Sequence, residues 1–270
     1  KLKNNKNINH VNYKTITELP NTKVTEMQIR RAHQRYQFAK KMFNGGTILE
    51  IGCGGGQGLD LLSKNAESVT GCDIDEDNIE IALDTYSSHP KVNIEKMDAE
   101  QLLFDDSSIN AIVLFETIYY INKINSFFQE AFRVLKNEGT IIICTANKDW
   151  PGFNPSPFSV KYYSVPELHQ IASTFGFEVK MYGSFPDNSD TLLSKLTSLF
   201  KKIAVKFQLI PKTMKGKVLL KKIFLGKMIS YPKILTDDLF VYLPPIPISH
   251  NINDKVHTAI FAVCKKIKDK

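Results

Sequence analysis

The chain has 270 residues, 35 Lys and Arg against 28 Asp and Glu, and a formal net charge of +7; 43% of it is hydrophobic, enough to bury a core without a disulfide or metal staple. Its four cysteines, Cys53, Cys72, Cys144 and Cys264, lie far apart with no CxxC pair, which excludes a zinc knuckle or disulfide scaffold and points to a reducing, cytoplasmic setting. No apolar run reaches ~18 residues, which excludes a transmembrane helix, and the amino end has neither an initiator Met nor an apolar signal core, the pattern of a fragment or processed product.

Residues 1–24 are polar and aperiodic and read as a flexible arm. Thr25 to Phe43 reads as a helix, with Met27, Ala32, Tyr36, Ala39 and Phe43 at helical spacing. From Thr47 strands and helices alternate. The strands are Thr47–Gly52, Ser68–Asp73, Val92–Lys96, Ala111–Phe115 and Thr140–Thr145; the helices are Gly58–Lys64, Asn78–His89 and Ile124–Leu135. Such alternation predicts a doubly wound α/β fold, a mostly parallel sheet with helices on both faces. Ser164-Val165-Pro166-Glu167 has the form of a capping box and opens a helix towards Phe175. Strands follow at Phe177–Phe185 and His257–Cys264.

The strongest signal is Ile48-Leu49-Glu50-Ile51-Gly52-Cys53-Gly54-Gly55-Gly56-Gln57-Gly58, a buried strand running into glycines and then a helix. Glycine allows a sharp turn and close approach of a ligand. The spacing does not give G-x-G-x-x-G, because Gln57 or Leu59 falls at the third position, and no Gly-Lys-Ser/Thr is present for a P-loop. What stands there is Glu-x-Gly-x-Gly-x-Gly. Seventeen residues beyond Gly56, Asp73 ends the second strand, where an acid can accept hydrogen bonds from both ribose hydroxyls of a nucleoside ligand. Met97-Asp98-Ala99-Glu100 follows the third strand.

In these residues the chain resembles the class I S-adenosylmethionine-dependent methyltransferases, over about Thr47 to Ala146. The resemblance implies a Rossmann-like, mostly parallel seven-stranded sheet and S-adenosyl-L-methionine as cofactor. It implies that Glu50, Gly52, Cys53, Gly54, Gly56, Asp73, Ile74 and Phe115 hold the cofactor, with Asp98 on the adenine amino group and the Ala99 backbone on the ring. In this family the helix before the first strand often closes over the cofactor. Tyr36 then borders the sulfonium and Arg35 reaches the methionine carboxylate.

Family members take substrate at the carboxyl ends of strands four and five. Strand four leads here into Glu116-Thr117-Ile118-Tyr119-Tyr120, and Glu116, Tyr119 and Tyr120 are the candidates for catalysis. Carboxylates and aromatic faces stabilise a sulfonium cation, and transfer itself is an in-line displacement dominated by orientation. The long loop after strand five holds the only tryptophan, and Asn147, Trp150, Phe153 and Asn154 are expected to wall the acceptor site. Its Asn154-Pro155-Ser156-Pro157 is similar to the Asn-Pro-Pro-aromatic motif of nucleic-acid amino methyltransferases but follows the wrong strand, which argues against base methylation. His169 reads as a helix-surface residue rather than a base, and no metal site is expected.

Charge divides the chain. Thr191–Thr236 holds eleven Lys and no acid, leaving 24 basic and 28 acidic residues elsewhere. This marks 187–254 as an insertion into a methyltransferase domain made of 25–186 and 255–270. Leu192, Leu196, Leu199, Phe200, Ile203, Phe207 and Ile210 share one helical face, giving a helical lid with a lysine face; peripheral contact with an anionic membrane is the alternative. The sequence thus predicts methyl transfer to an O or N atom of a small molecule, a sugar or secondary metabolite. Lipid acceptors, RNA or DNA, and a non-catalytic cofactor-binding module are the other readings.

Overall fold

The computed structural model describes residues 17–187 and 228–267. The elements are β1 (Lys23–Thr25), α1 (Glu26–Met42), β2 (Thr47–Ile51), α2 (Leu59–Ser63), β3 (Ser68–Asp73), α3 (Glu76–Tyr86), β4 (Val92–Lys96), β5 (Ile109–Phe115), α4 (Ile124–Val134), β6 (Leu135–Ala146), α5 (Val165–Thr174), β7 (Phe177–Pro186), β8 (Met228–Ser230), β9 (Ile246–Pro247) and β10 (His257–Lys266).

The main sheet has the order β4-β3-β2-β5-β6-β10-β7-β9. β4, β3, β2, β5 and β6 pair in parallel, while β10 runs antiparallel between β6 and β7. Successive residues of the central strands go to opposite faces. Leu49, Ile51, Ile112, Leu114, Ile141 and Ile143 pack with α4 and α5 on one side. Ile48, Val69, Val113, Ile142 and Cys144 pack with α1 and α2 on the other. Burial of both faces explains why these strands read as almost continuous apolar runs.

Side-chain caps set the helix starts. Thr25 and Gln28 form a capping box on α1, Ser164 and Glu167 form the predicted one on α5, and Asp75 caps α3 by accepting from the Asp77 N–H. The last turn of α4 is closed from outside the helix. Lys266, buried at the end of β10, donates to the carbonyls of Phe132 (2.8 Å) and Leu135 (2.9 Å) with its ammonium over the Phe132 ring.

The sheet departs from the predicted seven strands by one, the two-residue β9 on its outer edge. β6 begins at Leu135 rather than Thr140, because Leu135 pairs with Ile109 before a register shift. The helix expected over Leu192 to Ile210 lies outside the described residues. The following segment, 228–243, packs on the body: β8 pairs with β1, Leu235 is buried, and the Leu235 N–H donates to Gln57 O (2.8 Å). Leu19 and Val24, in the stretch read as an arm, are also buried.

Lys266→Met keeps an unbranched apolar stem, one atom shorter, and removes the ammonium donors to the Phe132 and Leu135 carbonyls. A loss of about 1–3 kcal/mol is expected, readable as a lowered midpoint in urea without a change in slope.

Candidate active site

β2 ends where the backbone must reverse beneath the end of β3. The N–H groups of Gly52 and Cys53 both donate to Cys72 O, at 2.7 and 2.9 Å. Gly52 sits at φ +74°, and a Cβ there would lie 2.3 Å from Thr117 Oγ1; Gly54 sits at φ +55° and donates its N–H to Asp73 Oδ2 (2.9 Å). Both positions need glycine for conformation, and the first for space as well. Gly56 turns away from the site, its carbonyl accepting from Tyr86 OH at 2.8 Å.

Asp73 ends β3, nearly buried. Its second oxygen accepts from the Asp75 N–H (2.9 Å). Burial raises its pKa, opposed by the backbone bonds from Asp75 and Gly54. Each carboxylate oxygen has one backbone partner and the Asn78 side chain also bonds to the carboxylate, which leaves acceptor capacity for a ligand hydroxyl. Beyond it, Ile74 is 49% exposed, and Asp98 folds into an Asx turn with the Glu100 N–H (2.9 Å) beside Ala99.

These groups border a cavity of about 500 Å³ that runs past Glu50, Phe115 and Tyr36 to Glu116 and Tyr119. Glu50 is fully buried. One of its oxygens accepts from Tyr36 OH at 2.5 Å and the other has no partner among the described residues. Burial pushes its pKa up to about 8, against the Tyr36 bond and the Arg35 charge. Tyr36 packs edge-on to Phe115, with ring centres 5.2 Å apart.

At the end of β5 the chain passes through Glu116 at φ +51°, which turns its side chain to α1. Arg35 Nη1 donates to Glu116 Oε1 (2.8 Å) and Tyr119 OH to Oε2 (3.1 Å). Arg35 therefore serves Glu116 in this structure. Burial works against its charge, but the carboxylate outweighs it and the guanidinium stays protonated. Tyr119 stacks on Tyr162 (4.2 Å between centres), which Phe153 backs edge-on; Tyr120 bonds Ser156 at 2.6 Å.

The four residues expected to wall the acceptor site are not among those lining the cavity. Asn147 is fully buried and donates to the carbonyls of Asp254 (2.8 Å) and His257 (2.7 Å), holding the turn before β10. Trp150 Nε1 donates to Asp187 at 2.7 Å, Phe153 supports Tyr162, and Asn154 is exposed. Strand topology is the reason: β10 inserts beside β6 and its entry turn takes up the start of the loop. The cavity is lined there instead by Arg31, Phe185, Tyr231 and Thr258, all absent from the sequence prediction. Arg31 alone left a signal, being four residues from Arg35 and so on the same helix face. His169 lies away from the cavity, stacked on His250 at 4.0 Å.

The residues fit S-adenosylmethionine: a glycine cradle that a Cβ would fill, an acid with free acceptor capacity at the end of β3, and an unpartnered buried carboxylate oxygen on Glu50. Residues 49–143 match the sequence profile of the methyltransferase domain family. A probable S-adenosylmethionine-dependent methyltransferase of Mycolicibacterium smegmatis is 32% identical over 155 residues, 56% of this chain and 59% of that protein. The ubiquinone biosynthesis O-methyltransferase of Pelagibacter ubique is 33% identical over 105 residues, 37% of this chain and 42% of that protein. The chain thus spans less than two thirds of the length of these curated relatives. Among solved structures, phosphoethanolamine N-methyltransferase 2 of Haemonchus contortus, in complex with S-adenosyl-L-methionine, shares the fold with a TM-score of 0.54 at 17% identity, over 87% of this chain and 52% of that one. The chain thus carries a methyltransferase domain at residues 49–143, set in a fold it shares with S-adenosylmethionine-dependent methyltransferases.

Proposed function

We propose that the protein transfers the methyl group of S-adenosylmethionine to an O or N atom of a small-molecule acceptor. The observation that carries this reading is Asp73, locked by its backbone bonds to the glycine turn in the same cavity that holds the Arg35–Glu116–Tyr119 cluster. The bound cofactor supplies an electrophilic methyl on a sulfonium. Asp73 then accepts from the ribose hydroxyls, Ile74, Asp98 and Ala99 receive the adenine, and Gly52, Cys53 and Gly54 form the floor. Glu50 and Tyr36 face the methionine end. The O-methyltransferase name of one relative and the N-methyltransferase fold of another support both acceptor atoms.

The cluster at the methyl end orients and does not deprotonate. Glu116 already accepts two hydrogen bonds, one on each oxygen, and so is engaged in holding Arg35 and Tyr119 in place. Burial, then the adjacent Glu116, pushes the Tyr119 phenol well above its ordinary range, so it stays a donor. Catalysis then rests on alignment and exclusion of water, with an acceptor that reacts as its own anion or free amine.

Asp73→Ala is expected to abolish measurable S-adenosylmethionine binding in calorimetry, and Asp73→Asn to weaken it at least tenfold, with the far-ultraviolet circular dichroism retained. Undiminished affinity in both overturns the assignment. Mass spectrometry of a cell extract incubated with the protein and methyl-labelled cofactor tests transfer itself, the expected result being an extract component gaining one labelled methyl.

Glu50 gives a pH test. Its folded pKa of about 8 lies above the ordinary 4.5, so between these values the folded protein binds more protons than the unfolded chain and stability falls as pH rises, by up to about 1.4 kcal/mol per pH unit. Glu50→Gln keeps an acceptor for Tyr36 and does not titrate. In the cofactor-free protein it should match wild type in thermal melts at pH 5 and melt higher at pH 8.

A further inference from the structure

The cavity has a chemical polarity that the cofactor reading leaves unused. Two cationic side chains are among the described residues that line it, Arg31 and Arg35, and both stand at the end away from Asp73 and Asp98. Helix α1 runs across the strand ends, and its contacts move outward along the sheet. Tyr36 meets Glu50 on β2, Arg35 meets Glu116 after β5, and Arg31 lies over the ring of Phe185 on β7, 5.4 Å from its centre. β7 is four strands from β2, roughly 19 Å at the usual strand spacing.

Arg35 is neutralised by Glu116. Arg31 has no ion pair and no hydrogen bond among the described residues, and its buried Nε is without a partner. The charged and titratable groups that face it are Arg35 on its own helix, Glu116 after β5, Cys144 on β6 and Glu18 before β1. Glu116 is taken by Arg35 and Tyr119, and Glu18 accepts from Gln28. Burial, then the neighbouring Arg35 charge, lowers the Arg31 pKa, as expected of a cation short of counter-charge. Two further features point the same way. Phe185 holds φ +55°, a left-handed conformation unfavourable for a bulky residue and retained where it sets a side chain in place. Thr258, also lining the cavity from β10, has a buried hydroxyl without a partner. A guanidinium held over an aromatic face does not spend its N–H groups on that contact, and its fork can receive two oxygens of one anion.

The geometry points to an oxyanion subsite at Arg31, Phe185 and Thr258 that receives a carboxylate or phosphate borne by the methyl acceptor. This rests on the methyltransferase reading for which end of the cavity holds cofactor. The acceptor is then a small anionic compound, held by its charge at β7 and β10 with its nucleophilic atom towards Glu116 and Tyr119.

The test uses the full chain loaded with S-adenosylhomocysteine and three probes, benzoate, phenyl phosphate and neutral benzamide, titrated by calorimetry or ligand-detected NMR. At least one anion should bind tenfold or more tightly than benzamide, and the tighter of the two identifies the oxyanion. Arg31→Gln should reduce that ratio to about one and Arg31→Lys should restore part of it, while both leave the affinity for S-adenosylhomocysteine within twofold. Equal binding of benzoate, phenyl phosphate and benzamide, or no anion binding to wild type, overturns the subsite. So does a tenfold loss of cofactor affinity in Arg31→Gln, which would make Arg31 a cofactor ligand. Failure of the methyltransferase reading shows separately, as absent S-adenosylhomocysteine binding in wild type before any probe is added; the same probe ratios on unloaded wild type and Arg31→Gln then still decide the anion site.

Discussion

The junction of β2 with β3 is the constraint on which the site depends. One carbonyl, Cys72 O, takes the N–H groups of Gly52 and Cys53, and one carboxylate, Asp73, takes that of Gly54. Together these bonds fix a turn that L side chains rarely adopt, with Thr117 pressed against Gly52 from the next strand end. Asp73 is thereby both a structural member of the turn and the group presented to a ligand. Because its oxygens are already anchored, little rotamer freedom remains to be lost on binding. The price of this arrangement is burial of a charge, visible in the raised pKa of Asp73 and more strongly of Glu50.

The rest of the site is fixed to that junction through α1. The helix is held at one end by the Tyr36–Glu50 bond and along its length by the segment 228–243. Asp237 accepts from Gln37 (2.9 Å), Lys40 (2.6 Å) and Lys64 (3.0 Å), tying α1 to the end of α2. Burial works to raise the pKa of Asp237, but Lys40, Gln37 and Lys64 outweigh it and hold the carboxylate well below its ordinary range. Phe185, which precedes residues 191–236, and Tyr231, which lies within them, both reach the cavity.

What the sequence made legible follows from locality. β2, β3 and β5 were readable within a residue or two because burial on both faces leaves an apolar run, and the edge strand β4 because Val92 and Ile94 alternate with polar residues. The Glu50, Gly52, Gly54 and Asp73 set was readable because it is carried on consecutive strand ends at short spacing. The far half of the cavity was not. Arg31, Phe185, Tyr231 and Thr258 come from four distant segments, and only the placement of β10 between β6 and β7 brings them together. Asn147 shows the converse: its amide and its position after β6 suit recognition, yet Asp254 and His257 arrive across β10 and take up its donors. The β1–β8 ribbon was illegible for a related reason, since its strands have three residues each and pair across some two hundred positions.

Fold alone does not choose among the chemistries this scaffold supports, so the electrostatics of the cavity carry the remaining argument. The net charge of +7 comes from lysines in 191–236, and exposed charges are screened over about 8–10 Å at physiological salt. The cavity itself is lined by neither Lys nor His among the described residues. What acts there is local: a neutral Arg35–Glu116 pair where the methyl group would leave, acids on the cofactor side, and one uncompensated guanidinium on the other. A neutral pair at the transfer point suits a reaction in which positive charge on sulfur is lost. In the proposed transfer, opposite charges on either side of that point would order the two reactants along one axis, so that the orientation on which in-line displacement depends would be set by the protein before either arrives.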